Sequence, residues 1–211
     1  MTHLEDNARD LADRLLAGYS GTRLLAAVAG APGSGKSTLA EAIVEEINHR
    51  QPGLAAVFPM DGFHFDDAVL SDMGRLAHKG AIETFDAHGF RHMLARLKAN
   101  EDDRIAVPVF DRALEIARAG GRLIPQATGI IVCEGNYLLM QDEPWDRLKP
   151  MFDLTVLVDV DGDELRRRLE QRWAGFGLDA ETIRQKLDGN DIPNGMAILA
   201  RSSEPDIRIQ N

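Results

Sequence analysis

A chain of 211 residues suffices for one ordinary domain with its own core, and a 44% apolar share can fill that core without disulfides or structural metal. A net charge of −10, with only five lysines among 24 basic residues, argues against non-specific nucleic-acid binding but leaves room for a few arginines around a small anion. The single Cys133 excludes an internal disulfide. No apolar run reaches membrane-spanning length, so no membrane partner is expected and the cytoplasm is the expected address.

Leu4, Leu11, Leu15 and Leu16 predict an amphipathic first helix closed by Gly18 and Gly21. The apolar run from Leu24 to Ala29 reads as a buried parallel strand, and Leu39, Ile43, Val44 and Ile47 mark the helix that follows. A second strand is expected over residues 55–60. Residues 65–85 are polar and poorly periodic, and Asp86 is placed to cap a helix carrying Phe90, Leu94 and Leu97. Ile105, Val107 and Val109 alternate around Pro108 as in an edge strand or small flap, with Gly120-Gly121 expected to turn the chain before Leu123. Buried strands are expected at 130–133 and 154–160, an Arg-rich helix from about Asp163 to Trp173, a helix capped by Asp179, and a short last strand at 207–209. Strands alternating with helices predict an α/β fold, a mostly parallel sheet covered on both faces, in one domain over 1–211. Within it, a lid over about 163–190 and an acceptor-side insert over about 62–125 are expected.

Between the first strand and its helix lies Gly30-Ala31-Pro32-Gly33-Ser34-Gly35-Lys36-Ser37-Thr38, which fits the phosphate-binding pattern G-x-x-x-x-G-K-S/T. Its glycines let successive N–H groups converge on phosphate oxygens, and the positive end of the following helix adds to that field. Lys36 is the expected contact to the β- and γ-phosphates of ATP, and Ser37 a ligand of Mg2+. In such sheets ligands sit beyond the carboxyl ends of the strands, where Asp61, Glu134 and Asp159 fall. Asp61 is the favoured base for a hydroxyl proton, Gly62 beside it being read as room for a ligand. Glu134, after four apolar residues, is a magnesium or water-ordering candidate. Asp159 fits a loop that caps the next helix equally well.

Arg168 and Arg172 are four apart on one helix and are candidates to close over a phosphate, whereas a solvated face paired with Glu164 and Glu170 is the plainer reading. His64, Arg75, Lys79 and Arg112 lie in irregular segments and are candidates for binding the acceptor.

Taken in order, the phosphate loop, Asp61-Gly62-Phe63-His64, Val107-Pro108-Val109-Phe110-Asp111, Glu134-Gly135 and the arginine helix resemble the uridine kinase, phosphoribulokinase and pantothenate kinase group of P-loop kinases over about residues 20–210. More narrowly, Met60 to His64, Lys79-Gly80, Thr84-Phe85-Asp86 and Asn190 to Gly195 look like bacterial proteins named fructose transport system kinases. The resemblance implies a P-loop NTPase fold, ATP and Mg2+ as cofactors, a small-molecule hydroxyl acceptor, Asp61 as base and Arg168 and Arg172 as lid residues. It also implies Asn190 and Asn194 near the nucleotide base, and it leaves a homodimer open. A fructose-like sugar or polyol is the expected acceptor, with a nucleoside or pantothenate as the alternative. His64 replaces the second aromatic residue that uridine kinases carry after the Asp. A nucleotide-hydrolysing regulator is the remaining alternative, without support from a guanine-reading Asn-Lys-x-Asp, which does not occur.

Overall fold

The computed structural model describes residues 3–211. Five strands, β1 (Leu24–Gly30), β2 (Ala55–Pro59), β5 (Ile130–Gly135), β6 (Leu154–Asp159) and β7 (Ile207–Gln210), form one sheet in the order β2-β5-β1-β6-β7. Every pairing in it is parallel, and β1 lies at the centre with all seven residues buried. A strand buried on both faces needs no polar alternation, which is why β1 and β5 read as continuous apolar runs.

The pleat sends alternate residues of β1 to opposite layers. Ala26 and Val28 face α1 (His3–Gly18) and α2 (Lys36–Arg50), meeting Leu11, Leu15, Leu39 and Ile43. After the short α3 (Asp67–Asp72) comes α4 (Ala87–Ala99), which Leu25 and Ala27 face, meeting Phe90 and Leu94, with Ile198 from α7 (Ile192–Arg201) in the same cluster. Each large side chain fully buried in this way contributes about 1.5–3 kcal/mol relative to exposure. Among the described residues no helix is long and apolar enough to cross a membrane.

A two-stranded antiparallel hairpin, β3 (Arg104–Asp111) and β4 (Ile116–Pro125), stands apart from the sheet and folds over the end of β2. The expected turn at Gly120-Gly121 is not there; both glycines lie inside β4. The chain reverses over residues 112–115 instead, where Asp111 Oδ1 accepts hydrogen bonds from the backbone N–H groups of Ala113 and Leu114 and Glu115 takes a φ of 56°. An aspartate bonding its own backbone two and three residues on makes a turn without glycine. Gly121 serves packing: a Cβ there would lie 2.2 Å from Val109 Cγ2. The pairing slips between Val107 and Val109, where Pro108 has no N–H to give the ladder.

Gly62 answers the hairpin too, rather than a ligand. A Cβ at Gly62 would lie 2.5 Å from the carbonyl oxygen of Pro108, so its missing side chain admits the β3 backbone. Arg23 anchors the far end of the hairpin, its buried guanidinium donating to the carbonyls of Leu97, Pro125, Gln126 and Thr128.

Beyond β6 come α5 (Gly162–Gly175), the short α6 (Ala180–Lys186), a π-type turn over Leu187–Asp191, and α7. Asp161, Asp179 and Asp86 cap α5, α6 and α4 through their carboxylates. Leu165, Leu169, Ile183 and Leu187 gather on Ala31, so this segment rests on the loop after β1.

Candidate active site

The turn after β1 owes its shape to two glycines. Gly33 and Gly35 adopt φ values of 82° and 90°, a left-handed region that strains any other residue. The turn delivers Lys36 to the first position of α2, with Ser37 and Thr38 behind it. Gly30 at the end of β1 is hemmed in by Ser34 Oγ and the Val158 carbonyl, at 2.6 and 2.8 Å from where a Cβ would stand. The Ser34 carbonyl accepts hydrogen bonds from Asn211 Nδ2 (2.7 Å) and Arg168 Nη1 (3.4 Å).

Lys36 is buried and has no carboxylate within ion-pair distance. Burial pulls its ammonium below the ordinary lysine value, against the opposing pull of Glu134 and Asp61. Glu134, at the end of β5, accepts a hydrogen bond from Ser37 Oγ at 2.9 Å. Burial pushes its carboxyl above the usual range, with Lys36 opposing. Among the described residues no three or more His, Cys, Asp or Glu side chains cluster as a closed metal cage. Ser37 and Glu134 offer one hydroxyl and one carboxylate to a cation whose remaining shell comes from phosphate and water.

A cavity of about 230 Å³ opens in front of this loop. Lys36 reaches it from the start of α2, Asn136 from just beyond β5, Asp61 and His64 from the turn after β2, Phe110 and Arg112 from the hairpin, and Arg172 and Trp173 from α5. Three of the chain's five lysines line it: Lys36, Lys79 and Lys186. In a chain of net charge −10, that concentration of cations marks a place for anions.

Asp61 sits in a single helical turn after β2, and its Oδ2 accepts a hydrogen bond from Arg112 Nη2 at 2.7 Å. His64 packs between Phe85 and Phe110. Lys79 pairs with Asp67 at 2.6 Å, and its ammonium lies 5.3 Å from the centroid of the Phe110 ring. Arg75 is not among the lining residues; it lies in the exposed segment and faces Glu83 at 3.5 Å. Asp159 also lies outside, taken up by Arg208 and Gln210.

The arginines of α5 divide. Arg167 and Arg168 bond Glu164, and Arg166 bonds Asp188, as a solvated face would. Among the described residues Arg172 has no carboxylate partner; it stands 5.6 Å from the Trp173 ring centroid and enters the cavity, and burial and the nearby Arg112 hold its guanidinium below its ordinary value. Asn190 Nδ2 donates to the carbonyl of Lys79 and Asn194 Nδ2 to Asn190 Oδ1, so both tie α7 to the acceptor-side segment. The neighbouring Asp191 is the one that lines the cavity, accepting from Trp173 Nε1 at 2.7 Å.

Sequence reasoning missed Trp173, Phe176, Asp191 and Asn136 as cavity residues. Only Asn136 carried a local signal, since it directly follows Glu134-Gly135 at a strand's carboxyl end. The others arrive through the reversals between α5, α6 and α7.

Residues 25–210 match the family described as Phosphoribulokinase / Uridine kinase. The chain belongs to that family. It is a small-molecule kinase with a hydroxyl group as acceptor, and the family's P-loop brings the use of ATP. A Schizosaccharomyces pombe protein named "Putative uridine kinase C227.14" is 31% identical over 198 residues, covering 89% of this chain and 83% of that one. A pantothenate kinase of Myxococcus xanthus is 28% identical over 155 residues, or 70% of this chain and 48% of its own length. Among solved structures, a "putative fructose transport system kinase" from Silicibacter sp. TM1040 superposes with a TM-score of 0.88 at 37% identity, covering 99% of this chain and all of that one.

Proposed function

We propose that this kinase transfers the γ-phosphoryl group of ATP to a hydroxyl of a sugar or related polyol. The observation that carries the reading is the meeting of Asp61, Lys36 and Arg172 around one cavity of about 230 Å³. That volume lies under the usual range of about 300–1,000 Å³ for ligand pockets, which favours a small acceptor. The likeness to the Silicibacter protein, whose name refers to fructose transport, supports a sugar.

The acceptor oxygen attacks the γ-phosphorus. A new O–P bond forms as the bond to the β–γ bridging oxygen breaks, ADP departs, and the hydroxyl proton passes to the Asp61 carboxylate. Lys36 and the loop amides hold the phosphates, and Arg172 meets the charge that builds on the transferring group. Ser37 and Glu134 would hold Mg2+, which supplies charge neutralisation on the phosphate oxygens when bound. Residues 162–191 act as a lid, closing the cavity opposite Asp61.

Mg-ATP with a panel of D-fructose, uridine, pantothenate and ribulose 5-phosphate tests the proposal. ADP release should depend on an added acceptor and be fastest with the sugar. Equal release without any acceptor would mean hydrolysis, and a preference for uridine would move the acceptor class to nucleosides.

A further inference from the structure

The amides of the phosphate loop serve an anion only if each peptide is turned the right way, and at one peptide nothing local fixes the turn. Gly35 sits at a φ of 90°, and reversing the Ser34–Gly35 peptide would carry it to about −90°, which glycine adopts as readily. The Ser34 side chain gives no anchor, since its Oγ is buried without a partner. The glycine that makes the loop possible therefore also leaves this peptide free to turn over.

Two side chains from outside the loop meet the carbonyl of that peptide. Asn211 Nδ2 donates to the Ser34 oxygen at 2.7 Å and Arg168 Nη1 at 3.4 Å, which engages both of its lone pairs. In a planar trans peptide the C=O and the following N–H point in opposite directions. A carbonyl held toward Asn211 and Arg168 thus sends the Gly35 N–H to the other side, where the loop curls around the place for phosphate. That N–H donates to no backbone carbonyl among the described residues.

The missing side chain of Gly35 has a second use here. A Cβ would stand 2.5 Å from Asn211 Nδ2 and 3.9 Å from Arg168 Nη1, in the space through which the donors reach. Asn211 is itself held, its N–H donating to the Asp159 carbonyl at 3.0 Å at the end of β6. The Asp159 carboxylate in turn accepts from Arg208 and Gln210 of β7. Asp159, which has no place in the cavity, fixes the strand end from which Asn211 reaches the loop.

We infer that Asn211 and Arg168 are positioning residues for the phosphate loop: they hold the Ser34 carbonyl outward and so keep the Gly35 N–H aimed at the phosphate tail. Were the peptide reversed, a carbonyl oxygen would face the phosphate oxygens and repel them. Arg168 rides on α5, so the same oxygen ties the loop to a helix that borders the cavity through Arg172. The inference rests on nucleotide binding at this loop and is independent of which acceptor is phosphorylated.

Calorimetry with Mg-ADP, and with magnesium tripolyphosphate as a tail without base or sugar, tests it. Asn211→Leu, similar in size but without a donor, should weaken both ligands about three- to tenfold, the usual worth of one hydrogen bond. Its kcat at saturating ATP should stay within twofold of the parent, because saturating nucleotide selects the correctly turned peptide. Its Tm should not change, since Asn211 is exposed. Asn211→Gln keeps an amide donor and should recover part of the loss. Removing both donors, in Asn211→Leu with Arg168→Met, should weaken Mg-ADP by more than the product of the single losses, because one donor alone still restrains the carbonyl. In the 1H–15N spectrum of the parent, the Gly35 amide proton should move downfield as Mg-ADP binds.

Mg-ADP affinity within twofold of the parent in Asn211→Leu overturns the inference, as does a Gly35 amide signal that Mg-ADP leaves unmoved. A loss for Mg-ADP that tripolyphosphate does not share also overturns it, and would set Asn211 against the base or sugar instead. Equal losses in the Leu and Gln variants overturn the donor role, and single losses that merely multiply overturn the part given to Arg168. A parent that takes up no Mg-ADP defeats the nucleotide reading itself, a failure distinct from these.

Discussion

The two sides of the cavity are made by different means. On the sheet side, phosphate recognition is built from backbone: a wholly buried central strand, a turn with two left-handed glycines, and the first turn of α2. On the side of the hairpin and of α5 the cavity wall is built from side chains on loops and short helices, held by single ion pairs and hydrogen bonds such as Arg112 to Asp61 and Trp173 to Asp191. A backbone cradle reads any triphosphate and tolerates little change, while a side-chain wall can be rewritten residue by residue. On the proposed reading the common donor is held by the core, and the acceptor is met by parts that can diverge.

Substitutions on the two sides should fail in different ways. Lys36→Ala strikes the cradle and should give the largest effect, a loss of at least about 10³ in kcat/KM with weakened nucleotide binding, measured by turnover and calorimetry. Asp61→Asn strikes the opposite side. It should keep nucleotide affinity and lose about 10²–10⁴ in transfer rate, as expected for a general base. Nucleotide affinity that falls together with the rate would erase the distinction between the two sides.

Arg172→Met should cost about 10²–10³ in kcat, the usual loss of one charge-stabilising contact. Arg168→Met should cost about tenfold or less, because Glu164 and the Ser34 carbonyl already engage Arg168. A ratio near one between the two variants would remove the division within α5. The pH profile is the next, smaller probe. The Glu134 carboxyl is raised by burial and must be ionised to hold a cation, so activity should fall with decreasing pH at a higher value than an ordinary glutamate gives. Excess Mg2+, which favours the ionised form, should move that limb back toward acid. Arg75→Ala should change kcat/KM less than twofold, since an exposed pair at 3.5 Å from Glu83 contributes little.

How much of this was legible in the sequence follows the same division. The positions of the phosphate loop, Asp61 and Glu134 could be read because each is set by neighbours within a few residues: a buried strand, its end, and the turn after it. The parallel sheet followed from strands alternating with helices, and even β7 (Ile207–Gln210) from the three-residue pattern Ile207-Arg208-Ile209. The hairpin was half legible. Its alternation showed, but Gly120-Gly121 drew attention from Asp111, whose side chain makes the real turn. What α5, α6 and the turn after it bring to the cavity was least legible. Trp173, Lys186 and Asp191 belong to α5, α6 and the turn after it, and only packing of Leu165 and Leu169 on Ala31 brings them opposite Asp61. Periodicity shows which face of a helix is buried and not which distant loop it meets.

Trp173 gives the molecule a built-in optical gauge. The chain has two indoles; Trp145 is sealed among core residues, whereas Trp173 borders the cavity with the Lys186 ammonium 4.7 Å from its ring centroid. Light emitted by the first should change less with what enters, and that from the second should respond to any shift of its neighbouring cation. Binding and closure can therefore be followed in real time on unlabelled protein, with one indole as signal and the other as internal reference.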